Sequence, residues 1–496
     1  MSGAGLSGSA GSPPAAPSTR RLVARNAGAQ VVTFAARAVA GLTAVVLIAR
    51  HGGPHPLGVF QFGLTLSQMF GFAVGLGLPN LITREVARDP ARSRDWVGTG
   101  VFVALSAGSL VTVGLAVGMR FSGRPHEMVA AVSLAAVALS FDTAGRLEFA
   151  AFEGWERMWL EAGATCLQEA SFVAGTVAML ATGHGAQGVM AAYVLSRLLG
   201  AVTGWLIASW HLGAPVAPRP PLDFLRRTLR RTVPFALDDA LSLTYIRIDA
   251  VLLGFIRGPD AVGLYQAATN LVLYLNILAR VLNTALYPRM SKAWPDPARL
   301  GRWRDLSLRL LALVSVPAMI GSLLLAHQIF RFVYTSKFDR AVPTYQVLAL
   351  VIAIRMLGHT LGTSITAANR QTARTTVVAV AAFTNIALNL YFIPRWSYFG
   401  AAVTETGVFV AYVVLARRII GRSKLIEAVA LPALACVPMV AVLLALRNDV
   451  DLLVTIAAGA CAYALGLAAV AAALVPRAAR RHPRAALSAL LAKAAG

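Results

Sequence analysis

The sequence predicts an all-α polytopic membrane protein with about fourteen transmembrane helices. Hydrophobic residues make up 57% of the 496-residue chain, and the mean hydropathy is +0.66. Charged residues make up 14%, against about 25% in soluble domains. The apolar residues fall into stretches of about 20, the length of a helix that crosses a bilayer. These stretches cover residues 28–49, 57–80, 97–118, 127–147, 160–181, 186–210, 233–256, 262–288, 306–327, 342–367, 375–393, 399–420, 426–446 and 450–475.

The net charge of +23 follows the predicted topology, so it does not indicate a nucleic-acid partner. Roughly thirty of the 45 lysines and arginines fall in the two tails and the even-numbered loops, and about nine fall in the odd-numbered loops. Because basic loops stay in the cytoplasm, this bias places both termini there. We therefore expect a multi-pass protein of the cytoplasmic membrane that does not bind nucleic acid.

The sequence indicates an internal duplication that is followed by two additional helices. Gly58 and Gly263 each follow the first span of a half, 205 positions apart, and the same offset relates Arg84 to Arg289. Two six-helix units of equal orientation would leave a cleft between them, which is typical of transporters. The predicted segments are a disordered tail 1–19, a first bundle 20–210, a cytoplasmic linker 211–232, a second bundle 233–420, two additional transmembrane helices 421–475 and a basic amphipathic tail 476–496.

Five arginines lie near the middle of these apolar stretches: Arg37, Arg197, Arg247, Arg280 and Arg355. A charge at the bilayer centre costs about 2.5–3.5 kcal/mol on insertion scales, so such residues normally face a cavity or a charged partner. If the first two spans of each half flank the cleft, Arg37, Arg247 and Arg280 would converge on it. Arginine suits diphosphates and carboxylates, which predicts an anion-binding lumen. For Arg197 and Arg355, pairing with an acid is the competing interpretation.

Further candidates for substrate contact are Asp249 and Asn276, together with Arg355. The Asp238–Asp239 pair could couple transport to an ion, although two acids at a solvated cavity mouth are an alternative interpretation. Acids available to pair with the arginines are Asp142, Glu169, Asp238, Asp239, Asp249 and Glu405. We find no phosphate loop, nucleophile elbow or metal-ligand spacing, and so predict no catalytic residue, no metal and no cofactor.

Several segments resemble a known family. One runs over 245–254 and continues with 261–265 and 267–268; others are Gly75-Leu76-Gly77-Leu78-Pro79, Thr83-Arg84-Glu85-Val86-Ala87, Asn385-Ile386-Ala387-Leu388-Asn389, Ile393-Pro394 and Gly400-Ala401-Ala402. Their order and spacing resemble the polysaccharide flippase family of the multidrug/oligosaccharidyl-lipid/polysaccharide exporter superfamily. The resemblance extends over about residues 22–420.

The resemblance implies two six-helix bundles in a V and alternating access. It also implies that an undecaprenyl-diphosphate-linked oligosaccharide is flipped for surface polysaccharide such as O-antigen or exopolysaccharide. Glycosyltransferases and a polysaccharide polymerase would be the partners. Two relatives are alternatives: cation-coupled multidrug exporters, which favour acids in helices one and seven, and flippases of the peptidoglycan precursor. The latter share the two additional helices and arginines matching Arg37 and Arg280, but span two here has no mid-membrane arginine. A glycan polymerase would need a larger outward loop.

Overall fold

The structure is a computed structural model that describes residues 19–217, 222–421 and 423–474. The predicted disordered tail and the basic C-terminal tail lie almost entirely outside these residues. Within them the chain is helical. The helices are α1 Thr19–Gly52, α2 Pro54–Met69, α3 Gly71–Gly75, α4 Leu78–Arg88, α5 Ser93–Phe121, α6 His126–Gly154, α7 Met158–Ala181, α8 Gly185–His211, α9 Leu222–Arg257, α10 Pro259–Leu275, α11 Ile277–Ala293, α12 Pro297–Leu324, α13 Ala326–Val333, α14 Val342–Ala367, α15 Gln371–Ile420, α16 Leu425–Leu446 and α17 Leu452–Leu474.

The all-α polytopic fold is confirmed. In the described residues, ten helices are long and apolar enough to cross a membrane, or eleven if the bent pair of α2 with α3–α4 forms one span. All fourteen predicted stretches fall on helices in the predicted order. The lower count arises partly because α15 contains two predicted spans, joined across a kink at Ser397 whose φ is 51°.

Two spans are broken in ways that hydropathy does not reveal. The second bends by 46° between α2 and α3, and the left-handed residues Leu76 and Gly77 then separate α3 from α4. The eighth divides at Asn276 into α10 and α11. Conversely, α9 begins at Leu222, inside the predicted linker 211–232, and continues without interruption through span seven. The predicted segment boundaries stay a prediction.

The two halves meet where α2 crosses α10. Each helix starts with a proline after a glycine in the left-handed region: Gly53 (φ 86°) before Pro54, and Gly258 (φ 84°) before Pro259. These equivalent positions are 205 residues apart, the offset that the sequence predicts. Only glycine adopts this φ readily, which explains its presence at both helix starts.

At this crossing the backbones touch. A β-carbon added at Gly58 would lie 1.7 Å from the Pro259 carbonyl oxygen, and one added at Gly263 would lie 1.9 Å from that of Pro54. The contact is therefore reciprocal, as a two-fold axis between the repeats requires. We name this the glycine crossing, and the predicted topology places it at the outer surface.

Two arginines of the first half reinforce the same end by donating to carbonyl oxygens of the second half. Arg50, at the end of α1, donates from Nε to the carbonyl oxygen of Val333 in the second half at 2.9 Å. Arg124, before α6, donates to the carbonyl oxygen of Phe255 at the end of α9. The additional helices α16 and α17 pack against each other, and α16 packs against α12, outside the two-bundle core.

Candidate substrate cavity

A cavity of about 480 Å³ lies between the two bundles. The helices α1, α2, α6, α7 and α8 contribute its first-half wall, and α9 and α10 close it from the second half. Two acids line it, Asp142 and Glu169. Four arginines from four helices also line it: Arg37, Arg146, Arg197 and Arg247. If all six groups are ionised, an excess of two positive charges remains.

In the first bundle, Arg197 of α8 is the centre of a buried charge cluster. Its Nη1 and Nη2 donate to the two carboxylate oxygens of Glu169 at 2.8 and 2.9 Å, a bidentate geometry that fixes both side chains. Nη1 also lies 3.4 Å from Oδ1 of Asp142 on α6. The guanidinium carbon lies 4.6 Å from the centre of the Tyr193 ring, which adds a cation–π contact.

In the second bundle, Arg355 of α14 pairs with Glu405 of α15 at 3.3 Å and lies 4.8 Å from the Phe409 ring centre. The hydroxyl of Tyr265 donates to Oε2 of Glu405 at 2.8 Å and also contacts Asp249. These groups surround a space of about 20 Å³ that Arg247 also lines. Arg247 therefore connects the central cavity with this second charge cluster.

The structure brings some of the predicted residues together and separates others. Arg37, which is exposed, and Arg247 both line the cavity, whereas Asp249 and Arg355 lie one layer behind Arg247. The Asn276 amide nitrogen donates to the carbonyl oxygen of Val272 at 2.8 Å, within its own helix. The side chains of three further candidates lie outside the described part of the structure: Arg280, Asp238 and Asp239.

Sequence reasoning did not single out Arg146, which lies at the end of predicted span four. The available signal was its spacing. Arg146 follows Asp142 by one helical turn, so both side chains lie on one face of α6 and reach the same cavity. The uncharged side chains of Gln61 on α2 and Asn270 on α10 also line the cavity.

An apolar groove of about 600 Å³ lies directly behind one wall of the cavity. Residues Asn270, Leu273 and Tyr274 of α10 line the cavity, while Leu271 and Leu275 of the same helix line the groove. The remainder of the groove comes mainly from α12, α13, α16 and α17. The last turns of α10 thus lie between a cationic cavity on one face and an apolar groove on another.

A helical membrane fold with a cationic cavity between two related bundles defines a transporter-type protein. Consistent with this, the structure is similar to two solved transporters. It matches the lipid II flippase MurJ in an inward closed conformation with a TM-score of 0.74 at 15% identity, over 90% of this chain and 99% of that one. It matches an inward-facing multidrug resistance MATE family transporter of the MOP superfamily with a TM-score of 0.63 at 14% identity, over 79% and 98%. These likenesses concern the fold.

The family model described as "Polysaccharide biosynthesis protein" matches residues 23–294, more than half of the chain. The chain belongs to this family of membrane flippases and transporters. It is 21% identical to a probable low-salt glycan biosynthesis flippase of Haloferax volcanii over 75% of this chain and 78% of that one. It is 23% identical to a candidate O-antigen transporter of Shigella flexneri over 62% and 74%. Against an uncharacterized membrane protein in the cps region of Klebsiella pneumoniae, it is 23% identical and spans about half of that protein's length.

Proposed function

We propose that this protein flips an undecaprenyl-diphosphate-linked oligosaccharide across the bacterial cytoplasmic membrane by alternating access, for surface polysaccharide biosynthesis. Both termini would lie in the cytoplasm, and glycosyltransferases and a polysaccharide polymerase would act before and after it. The observation that carries the proposal is the cavity with four arginines and two acids. Its excess positive charge suits a diphosphate, and its enclosure by two bundles suits a transporter rather than an enzyme.

The three parts of such a substrate each find a compatible environment. The diphosphate would bind Arg37 and Arg247, which come from opposite halves and could both reach one anion in the cavity. The lipid tail would occupy apolar surface such as the groove behind α10. Closure at the glycine crossing supports a cavity that opens toward the other side of the membrane, where a lipid-linked precursor is made.

The test is translocation in reconstituted vesicles with the full-length chain. Arg37→Ala and Arg247→Ala should each reduce the flipping of undecaprenyl-diphosphate-linked oligosaccharide by about 10–100-fold, because a charge-assisted contact to a phosphate contributes about 1.5–3 kcal/mol. Arg309→Ala is the matched control, since Arg309 also lies within an apolar span but does not line the cavity. Equal rates in protein-containing and empty vesicles would refute the proposal.

A flippase for the peptidoglycan lipid precursor is the second candidate. It is favoured by the two additional helices, α16 and α17, and by the extensive match to the lipid II flippase fold. Complementation of cells depleted of their own lipid II flippase distinguishes the two candidates. A cation-coupled multidrug exporter is disfavoured, because cationic drugs would meet four arginines in the cavity.

A further inference from the structure

A second polar cavity, of about 330 Å³, lies inside the second bundle and is separate from the cationic one. It is bounded by α11, α14 and both ends of α15. The side chains that define it are Asn283, Thr284, Tyr287, Thr363, Arg374 and Tyr412. Neither the diphosphate nor the lipid tail needs this space, so its chemistry calls for its own explanation.

The lining consists mostly of uncharged hydrogen-bonding groups. Threonine hydroxyls and an asparagine amide donate and accept, and the phenols of Tyr287 and Tyr412 combine an apolar ring face with a hydroxyl. Arg374 is the one fixed charge among the described side chains of the cavity, and no carboxylate joins them. A cation would find no counter-charge here, and an apolar tail would leave these polar groups unpaired. Sugar hydroxyls match both the donors and the acceptors.

The first repeat shows that the fold does not require this polarity. At the 205-residue offset, Leu81 and Leu286 are both buried, with exposures of 6% and 7%, which supports the register. The equivalents of Asn283 and Tyr287 are then Leu78 and Ile82, which are fully buried apolar residues. The same two positions therefore build core in one bundle and cavity wall in the other.

One wall of the cavity is preorganised by hydrogen bonds. The Asn283 oxygen accepts from the hydroxyls of Ser307 and Thr360 at 3.2 and 3.1 Å, and the amide nitrogen donates to the Ala279 carbonyl oxygen at 2.9 Å. These contacts fix the orientation of the amide and leave one N–H of its nitrogen for a ligand. Thr284, the next residue, and Tyr287, one turn further along α11, are exposed. A fixed amide beside exposed hydroxyls is suited to recognising a polar ligand, because little side-chain freedom is lost on binding.

The two cavities lie along one pair of consecutive helices. Tyr274 near the end of α10 lines the cationic cavity, and Thr284 on α11 lines the polar one. Ten residues of straight helix extend about 15 Å, and the division at Asn276 changes this length little, so a short oligosaccharide covers the distance. We infer that the polar cavity is a carbohydrate subsite that holds the glycan while its diphosphate lies at the arginines. This inference rests on the proposed function and adds the site of sugar recognition.

The experiment replaces the polar residues by those of the first repeat. Asn283→Leu with Tyr287→Ile should weaken binding of the glycan about tenfold or more. The single variants Tyr287→Phe, which removes a hydroxyl, and Thr363→Val, which replaces one with a methyl group, give a second test if the double variant does not fold. Thr376→Val is the matched control, because this exposed hydroxyl lies on α15 outside the cavity.

Two probes separate this inference from the proposed function. The first is the free oligosaccharide released by mild acid from the source organism's lipid-linked oligosaccharides, with binding to the full chain in nanodiscs followed by saturation-transfer NMR. The second is transport of undecaprenyl diphosphate without glycan. We expect the cavity variants to lose glycan binding and keep transport of the bare diphosphate lipid, and Arg247→Ala to show the reverse. Unchanged glycan binding in all cavity variants would overturn the subsite, whatever the transport assay shows.

Discussion

The two bundles bury a charge pair in the same contact but with opposite polarity. In the first bundle the acid Asp142 is on the fourth span, α6, and Arg197 is on the sixth, α8. In the second bundle Arg355 is on the fourth span, α14, and Glu405 is on the sixth, the second part of α15. The contact between the fourth and sixth spans therefore requires complementary charges, but either span can carry the arginine. This favours a structural origin for both pairs.

The surroundings of the pairs differ more than the pairs themselves. In the first bundle, Glu169 makes the stronger contact with Arg197, and the whole cluster lines the cavity. In the second, Tyr265 joins Glu405 to Asp249, and this cluster lies behind Arg247. The acids of the first bundle thus line the cavity, whereas the second bundle contributes Arg247 to the cavity and keeps its acids behind this arginine.

Removing the paired arginine of either bundle should have the largest effect on stability, and the loss should be greater for Arg197 in the first bundle than for Arg355 in the second. Arg197→Ala leaves two carboxylates facing each other, whereas Arg355→Ala leaves Glu405 with a remaining hydrogen bond from Tyr265. Breaking a buried ion pair on one side costs about 3–5 kcal/mol. We expect a lower thermal unfolding temperature in detergent for Arg197→Ala than for Arg355→Ala. Equal temperatures would show that Glu169 adds nothing to the cluster.

Alanine at the glycine crossing should have an intermediate effect that is the same for both repeats. Gly58→Ala and Gly263→Ala each place a methyl group on a backbone carbonyl that cannot move aside, and overpacking of this kind typically costs about 1–3 kcal/mol. Gly114→Ala is the control, because a β-carbon there meets no atom within 4 Å. Thermal unfolding measures both variants, and tolerance of either one alone would contradict a reciprocal contact.

Reversing the polarity of the second pair should have a smaller effect. If either span can carry the arginine, the double variant Arg355→Glu with Glu405→Arg should fold with a stability close to that of the wild type. Each single substitution places like charges together and should be less stable. The new arginine at position 405 would face Asp249 through Tyr265. The expected double-mutant coupling is at least 1 kcal/mol in size. Additive losses in thermal unfolding would show that polarity matters.

The smallest effect concerns His55, which precedes the apolar stretch 57–80. Hydrogen bonding to Asp260 of the second half raises the pKa of His55, with a further contribution from Glu127 and an opposing one from burial. Because the raised pKa belongs to the folded state, this contact stabilises fully below about pH 6.5 and is lost as the pH rises through the raised value. His55→Gln should remove this pH dependence of the unfolding temperature. An identical profile in the variant would exclude His55 as its source.

The sequence predicts those features of the fold and of the candidate site that depend on residue composition and on the 205-residue offset between the repeats. The positions of the spans, the equivalence of Gly58 and Gly263, and the placement of Arg37 and Arg247 at one cleft all follow from these. The partners of Arg197 and Arg355 do not, because they depend on how each helix is rotated about its axis. The helix break at Asn276 is equally hidden, since an asparagine within an apolar stretch gives no signal of its own.

The glycine crossing has a mechanical consequence. Two bare backbones meet there, so the contact can separate and re-form without any side chain changing rotamer. We expect this end of the molecule to act as a releasable contact, whose opening is opposed by the arginine and histidine contacts around it and by the packing of Phe62 against Phe255. Substitutions of these surrounding residues, which do not line the cavity, would then change how readily the glycine crossing opens.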